Sequence, residues 1–243
     1  MCTVSFITNN GYIYFTSNRD ENRNRKAATM PQTEIRNGKK IIFPKDPAGG
    51  GTWFAVDENG TVGILLNGAF QKHIPIYPYR KSRGLILLDL MDAEDGSAHC
   101  QTTDLTNTEP FTIVFFQNKR LYELRWDGHQ KYFQQLDNHS NYIWSSVTLY
   151  SAEIISKRKM LFEDFIANKS FINSQSIYDF HINDHGDHEN GFVINRQNGI
   201  KTQCITQAIF QYDSIKLFHH DLLLNRRDEQ TIKTRYEEIC QGH

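Results

Sequence analysis

Through the first two thirds of the chain, apolar residues fall in short blocks divided by turn residues, a pattern of antiparallel strands. Thr3 to Ile7 and Tyr12 to Ser17 flank Asn9-Asn10-Gly11, and Asn and Gly accept the positive φ that a tight hairpin needs. Ile41-Ile42-Phe43 predicts a short strand, followed by a Pro- and Gly-rich loop from Pro44 to Gly51. Trp53 to Asp57 and Thr61 to Leu66 predict a second hairpin around Glu58-Asn59-Gly60. The run Val62-Gly63-Ile64-Leu65-Leu66 is too continuous for a strand wetted on one face, so it should be covered on both. Phe111 to Gln117, Arg120 to Trp126 and Lys131 to Leu136 predict a meander.

Two segments repeat at helical spacing instead. Leu85 to Met91 follows Ser82 and carries Leu85, Leu88 and Met91 on one stripe. Ser151 to Asn168 places Ile154, Ile155, Leu161, Phe162, Phe165 and Ile166 on one face, with Ser151 and Glu153 at its start. Ser176 to Phe180 predicts a short helix. Phe192 to Asn195, Thr202 to Phe210 and Ile215 to Phe218 predict closing strands, and Glu229 to Cys240 a polar helix. The order is strands, helix, strands, helix, strands, with hairpin-length links. It predicts an α+β fold in which helices cover the outer faces of antiparallel sheets. No repeat or linker divides the chain, so residues 1–243 are expected to form a single domain.

Composition narrows the class. The 27 basic residues balance 28 acidic ones, which argues against a nucleic-acid footprint. No apolar run approaches the ~18 residues of a membrane-spanning helix, and no basic segment leads into an apolar one at the start, so a cytoplasmic location is expected. Cys2, Cys100, Cys204 and Cys240 lie far apart, without the spacing of a zinc site or a disulfide framework.

The candidate chemistry starts at Cys2. Once Met1 is removed, one residue carries both a thiol, titrating near ~8.5, and an α-amine near ~7.7–8.0 that can take its proton. That is how an N-terminal nucleophile activates itself. The charge-rich stretch Thr16 to Lys26 reads as a solvated turn or as a support for Cys2. Cross-strand neighbours sit ~4.5–5.5 Å apart, so Arg19 could hold a thiolate while Asp20 anchors the amine. Gly49-Gly50-Gly51 lacks the Gly-Lys-Ser/Thr ending of a phosphate-binding loop and reads either as a flexible turn or as a substrate-facing loop. Asn67-Gly68 closes the apolar strand as a plain turn, or as an oxyanion donor through the Asn67 backbone N–H.

These residues carry a resemblance. Met1-Cys2, Asn18-Arg19-Asp20-Glu21, Gly50-Gly51-Thr52-Trp53, Asn67, Ser82-Arg83-Gly84 and Trp144-Ser145-Ser146 occur in the order seen in the NRDE family, which includes transport-and-Golgi-organisation proteins. That family is similar in turn to N-terminal-nucleophile hydrolases of the penicillin V acylase and bile salt hydrolase type. The resemblance implies a four-layer αββα sandwich of two antiparallel sheets and a Cys-dependent hydrolase of a linear amide or acyl bond. By that analogy Cys2 is the nucleophile, Arg19 and Asp20 support it, and Asn67 supplies an oxyanion donor.

The match departs at three points. Arg19 and Asp20 are adjacent, where such acylases keep two residues between Arg and Asp. Ser146 stands where the family tends to carry a second Asn, and could still donate one hydrogen bond. Lys201 replaces the Arg of a Gly-Thr-Arg-Thr signature, keeping charge but losing the planar fork. The resemblance also implies a second reading: a carrier, without catalysis, of an amphipathic ligand such as haem or acyl-coenzyme A. Both readings imply a small molecule as partner and no resident cofactor.

His181, His185 and His188 lie among acidic residues, but Gly186 interrupts any helix that would align them, and a polar loop accounts for them without a metal. Tyr77 and Tyr79, beside Pro75 and Pro78, are candidates for a pocket mouth.

Overall fold

The computed structural model describes residues 3–169, 171–211 and 213–234. In chain order the strands and helices are β1 (Thr3–Asn9), β2 (Tyr12–Asn22), β3 (Gln32–Arg36), β4 (Lys39–Phe43), β5 (Phe54–Asp57), β6 (Val62–Asn67), α1 (Arg83–Asp92) and α2 (Gly96–Thr102). There follow β7 (Phe111–Gln117), β8 (Arg120–Trp126), β9 (Lys131–Leu136), β10 (Tyr142–Ser145), α3 (Ala152–Asn168), α4 (Ser174–Ile182), β11 (Ile200–Phe210), β12 (Ser214–Asp221) and β13 (Arg226–Lys233). They build two antiparallel sheets, one ordered β10-β1-β2-β11-β12-β13 and the other β3-β4-β5-β6-β7-β8-β9.

Period-two alternation decides which side chain faces which layer. Val4, Phe6, Phe15, Ala208 and Phe210 point from the first sheet into the core between the sheets, where they meet Ile42, Phe54, Val56 and Ile64 of the second. The residues between them point outward. Ile7, Tyr14 and Ile209 pack with Phe162, Ile177 and Phe180 of α3 and α4. Ile41, Phe43 and Ala55 pack with Leu88 and Met91 of α1. Helix, sheet, sheet, helix is the resulting stack, the αββα sandwich.

The β1–β2 turn has Asn10 at φ 49° and Gly11 at φ 78°, as a two-residue hairpin with matching twist requires. Helix α3 starts where its cap places it, with the Ser151 side chain accepting from the Ile154 N–H.

Three expectations need correction. Glu229 to Cys240 is not a helix as far as it is described: Arg226–Lys233 is strand β13, paired along its length with β12, and residues 235–240 lie outside the described residues. Edge pairing overrides the helical preference of a polar segment, and charge on an edge strand also guards against sheet-to-sheet aggregation. Phe192 to Asn195 is not a strand. It makes a single bridge, Asn195 to Lys201, while Phe192 fills the α4 layer. Thirdly, β3, β10 and α2 form where the sequence reading places nothing: both strands are short sheet edges, β3 with a single apolar residue, β10 apolar but only four residues long.

Candidate active site

Strand β2 does not end before its charged residues. It runs through Asn22, so Asn18 to Glu21 are strand residues and Arg19 and Asp20, being adjacent, take opposite faces. Both are buried, 3% and 2% exposed, which excludes a solvated turn. Arg19 stacks its guanidinium over Trp53 at 4.7 Å and donates to Gln203 Oε1. Glu21 and Asp46 lie 3.5 and 3.8 Å from it. Asp20 accepts from the Thr202 hydroxyl at 2.5 Å and from the Tyr150 hydroxyl at 2.9 Å.

Arg19 and Asn67 line one cavity of about 600 Å³, walled by the loop of Asp46 to Trp53 and by Tyr77, Tyr79 and Arg83. Its loops are locked by glycines. A Cβ on Gly51 would lie 2.2 Å from the Gly84 carbonyl carbon, and one on Gly84 would lie 2.8 Å from the Thr52 oxygen. The Ser82 hydroxyl adds a bond to the Gly49 carbonyl at 2.9 Å. The two motifs Gly50-Gly51-Thr52-Trp53 and Ser82-Arg83-Gly84 are thus halves of one contact, which sets the start of α1 against the cavity wall.

The cavity is rich in paired charge. Arg25 Nη2 lies 2.6 Å from Asp46 Oδ2. Burial works to raise the Asp46 carboxyl, but Arg25 and Arg19 outweigh it and hold it below the usual carboxylate range. Arg83 lies 3.1 Å from Glu109, and burial pulls its guanidinium down against that partner's pull upward. Tyr77 and Tyr79 meet edge to face at 5.3 Å, on the cavity lining as the sequence suggests.

The remaining candidates separate. Ser146 is buried beside a smaller pocket of about 120 Å³, which it shares with Asn67. Its hydroxyl donates to the Asn67 carbonyl at 2.8 Å, so its single proton is committed to holding that strand end. Lys201 pairs with Glu21 across β11 and β2 and is not among the described residues lining the cavity. Cys2 lies outside the described residues. Its neighbour Thr3 is paired with Asn18 on one side and Ser145 on the other.

Sequence reasoning overlooked Thr202 and Tyr150 as partners of Asp20, and Gln203 as partner of Arg19. The signal was available only as an implication, that adjacent buried charges need donors and acceptors from elsewhere. The histidine loop also resolves into different roles. His181 is fully buried, with Nδ1 2.5 Å from Asn18 Oδ1 and Nε2 2.8 Å from the Ser5 hydroxyl. Asn18 donates its amide to the carbonyls of His181 and Phe192, so its oxygen accepts from Nδ1–H and the Ser5 hydroxyl donates to Nε2. His188 is exposed and beside Asp184.

The stacked sheets and this end-on cavity define a protein with the fold of N-terminal-nucleophile hydrolases. A variant of conjugated bile acid hydrolase from Clostridium perfringens superposes with a TM-score of 0.63 at 11% identity, over 100% of this chain and 95% of that one. The Caenorhabditis elegans orthologue of N-acylethanolamine-hydrolyzing acid amidase superposes with 0.59 at 10% identity, over 85% and 92%. The family model described as Transport and Golgi organisation 2 matches residues 1–211, and the chain belongs to that family. No curated protein sequence matches it. Among the described residues no helix is long and apolar enough to cross a membrane.

Proposed function

We propose that this protein is a Cys-dependent hydrolase of a small linear amide or related acyl bond, with Cys2 as nucleophile after removal of Met1. The observation that carries the reading is Arg19, a buried guanidinium directed into the cavity from the strand residue next to the Thr3–Asn18 pair. Cys2 precedes Thr3 in the sequence as Arg19 follows Asn18, so the proposed nucleophile and its supporting cation flank that described pair. The α-amine takes the thiol proton, and Arg19 favours the thiolate by charge. The sulfur adds to the substrate carbonyl, and the oxyanion is met by the Asn67 backbone N–H on the facing wall. Collapse expels the amine, which leaves with the proton from the α-ammonium. Water then cleaves the thioester and regenerates Cys2.

A second reading, a carrier of haem or acyl-coenzyme A, is favoured by two findings: Lys201 is away from the cavity and the Ser146 proton is committed elsewhere. The described lining offers no His, Cys or Met to ligate a haem iron, only Tyr77 and Tyr79. Arg25, Lys81 and Arg83 bring positive charge to the lining, and the phosphates of acyl-coenzyme A would compete there with Asp46, Asp89 and Glu109, their present partners.

Mass spectrometry of protein from the native host decides between the readings. The hydrolase requires loss of Met1, an acyl adduct on Cys2 with a panel of N-acyl amides, and no turnover in Cys2→Ala. Retention of Met1, or ligand binding that is unchanged in Cys2→Ala and gives no product, would leave the carrier. Cys100 and Cys204 serve as internal controls, since burial pushes both thiols up to about 12.

A further inference from the structure

Behind β1 lies a buried cation that no carboxylate among the described residues pairs with. Arg158 of α3 is 1% exposed, its guanidinium sandwiched between the rings of Tyr150 at 4.2 Å and Phe192 at 4.4 Å. Nε donates to the Ser145 hydroxyl at 3.0 Å, and Nη1 to the carbonyls of Asn190, at 2.8 Å, and Gly191. Nη2 donates to the Thr3 hydroxyl oxygen. Among the described residues no carboxylate lies within ion-pair distance of it. Burying a charge on neutral acceptors alone is costly, and an aliphatic side chain would fill the same volume without that cost. What the guanidinium adds is a rigid fork able to hold several segments at once.

The segments held are those around the candidate site. Thr3 and Ser145 are register partners across β1 and β10, and Thr3 also pairs with Asn18, next to Arg19. Ser145 precedes Ser146, which holds the Asn67 carbonyl. Tyr150, covered by the guanidinium, donates to Asp20. His181 repeats the grip one row along, on Ser5 and Asn18.

The geometry assigns Arg158 as the positioning residue of the N-terminal nucleophile: its fork clamps Thr3 to Ser145 from the helical layer and thereby fixes the start of β1 beside the strand that carries Arg19. This rests on the Cys2 reading above. The clamp acts from the outer face of β1 and touches no substrate. Tyr150, Arg196 on its other side, and His181 are charged or titratable neighbours of Arg158 among the described residues, while Glu21, Asp46 and Arg25 surround Arg19. The substitutions below leave all six in place.

The test is the rate of iodoacetamide alkylation of Cys2 against pH, read by peptide mass on full-length protein lacking Met1. Arg158→Met, Arg158→Lys and Arg19→Ala are compared with Phe162→Leu, a packing change in the same layer. Loss of the clamp should loosen the start of β1, weaken the support that the proposed function assigns to Arg19, and move the Arg158→Met midpoint up by about one pH unit, as in Arg19→Ala. Arg158→Lys, with charge but no fork, should fall between, and Phe162→Leu should not move. Should Arg158→Met fail to fold, the Lys variant decides: an upward midpoint supports the clamp, the wild-type midpoint overturns it. A wild-type midpoint in Arg158→Met, or full restoration by Lys, also overturns it. If Arg19→Ala still shifts in that case, the Cys2 reading survives; if neither arginine moves the midpoint, both ideas fall.

Discussion

Arg19 shows how burial changes what a charged side chain does. Read from the sequence as a partly solvated support for Cys2, it would cost little to remove. In the fold its guanidinium is covered by Trp53, bonded to Gln203 and balanced by Glu21 and Asp46. Arg19→Ala would leave the Gln203 oxygen without this donor and leave Glu21 and Asp46 to share Arg25 alone. The expected loss is about 1–3 kcal/mol of unfolding free energy, from the stranded acceptor alone. Urea unfolding of wild type and variant measures it, and a change below 0.5 kcal/mol would return Arg19 to a surface-like role.

At the scale of elements, the contact between the 50–53 loop and the start of α1 is the joint that shapes the cavity. Two backbones pass so closely at Gly51 and Gly84 that neither position has room for a methyl group. Gly51→Ala must therefore push α1 outward, where it also rests on Gly63 through Leu87 and Met91. We expect it to destabilise the protein by about 1–3 kcal/mol or more, the usual range for overpacking. Thermal unfolding reads the loss, and unchanged melting would mean that the joint yields freely. The polar strands β3 and β13 carry the opposite lesson. Both close a sheet edge, where side-chain periodicity says little and the neighbouring strand supplies the hydrogen bonds.

For the molecule as a whole, acid sensitivity is built into the first sheet and the helix α4 packed on it. Burial drives His181 down to about 3, with the Arg158 charge adding to it, and drives His219 down to about 4. Both are held neutral in the fold and titrate near the ordinary ~6.5 when unfolded. Below that value the unfolded state binds the extra protons, so stability is complete above pH ~6.5 and falls as pH drops toward the two depressed values. Each group contributes up to about 1.4 kcal/mol per pH unit in that window. Urea unfolding at pH 7, 6 and 5 should show steady loss, and His181→Gln should flatten the slope by one proton. A slope unchanged in that variant would place the acid sensitivity elsewhere.

The sequence alone determined the strands and helices with strong apolar periodicity, because a side chain's period of 2 or 3.6 is a local property that any packed partner will satisfy. It also carried the family order of motifs, from Asn18-Arg19-Asp20-Glu21 to Asn67, and hence the layered fold. Only tertiary structure decided what those motifs do. It split adjacent Arg19 and Asp20 onto opposite faces, set Lys201 away from the cavity, tied Ser146 to the Asn67 carbonyl and joined the two glycine motifs across more than thirty residues. Arg158 gave no local signal, and His181, noticed only as part of a polar histidine loop, gave none of its buried role, since a buried polar group is defined by acceptors and donors brought from distant segments, here Thr3, Ser5, Asn18 and Ser145.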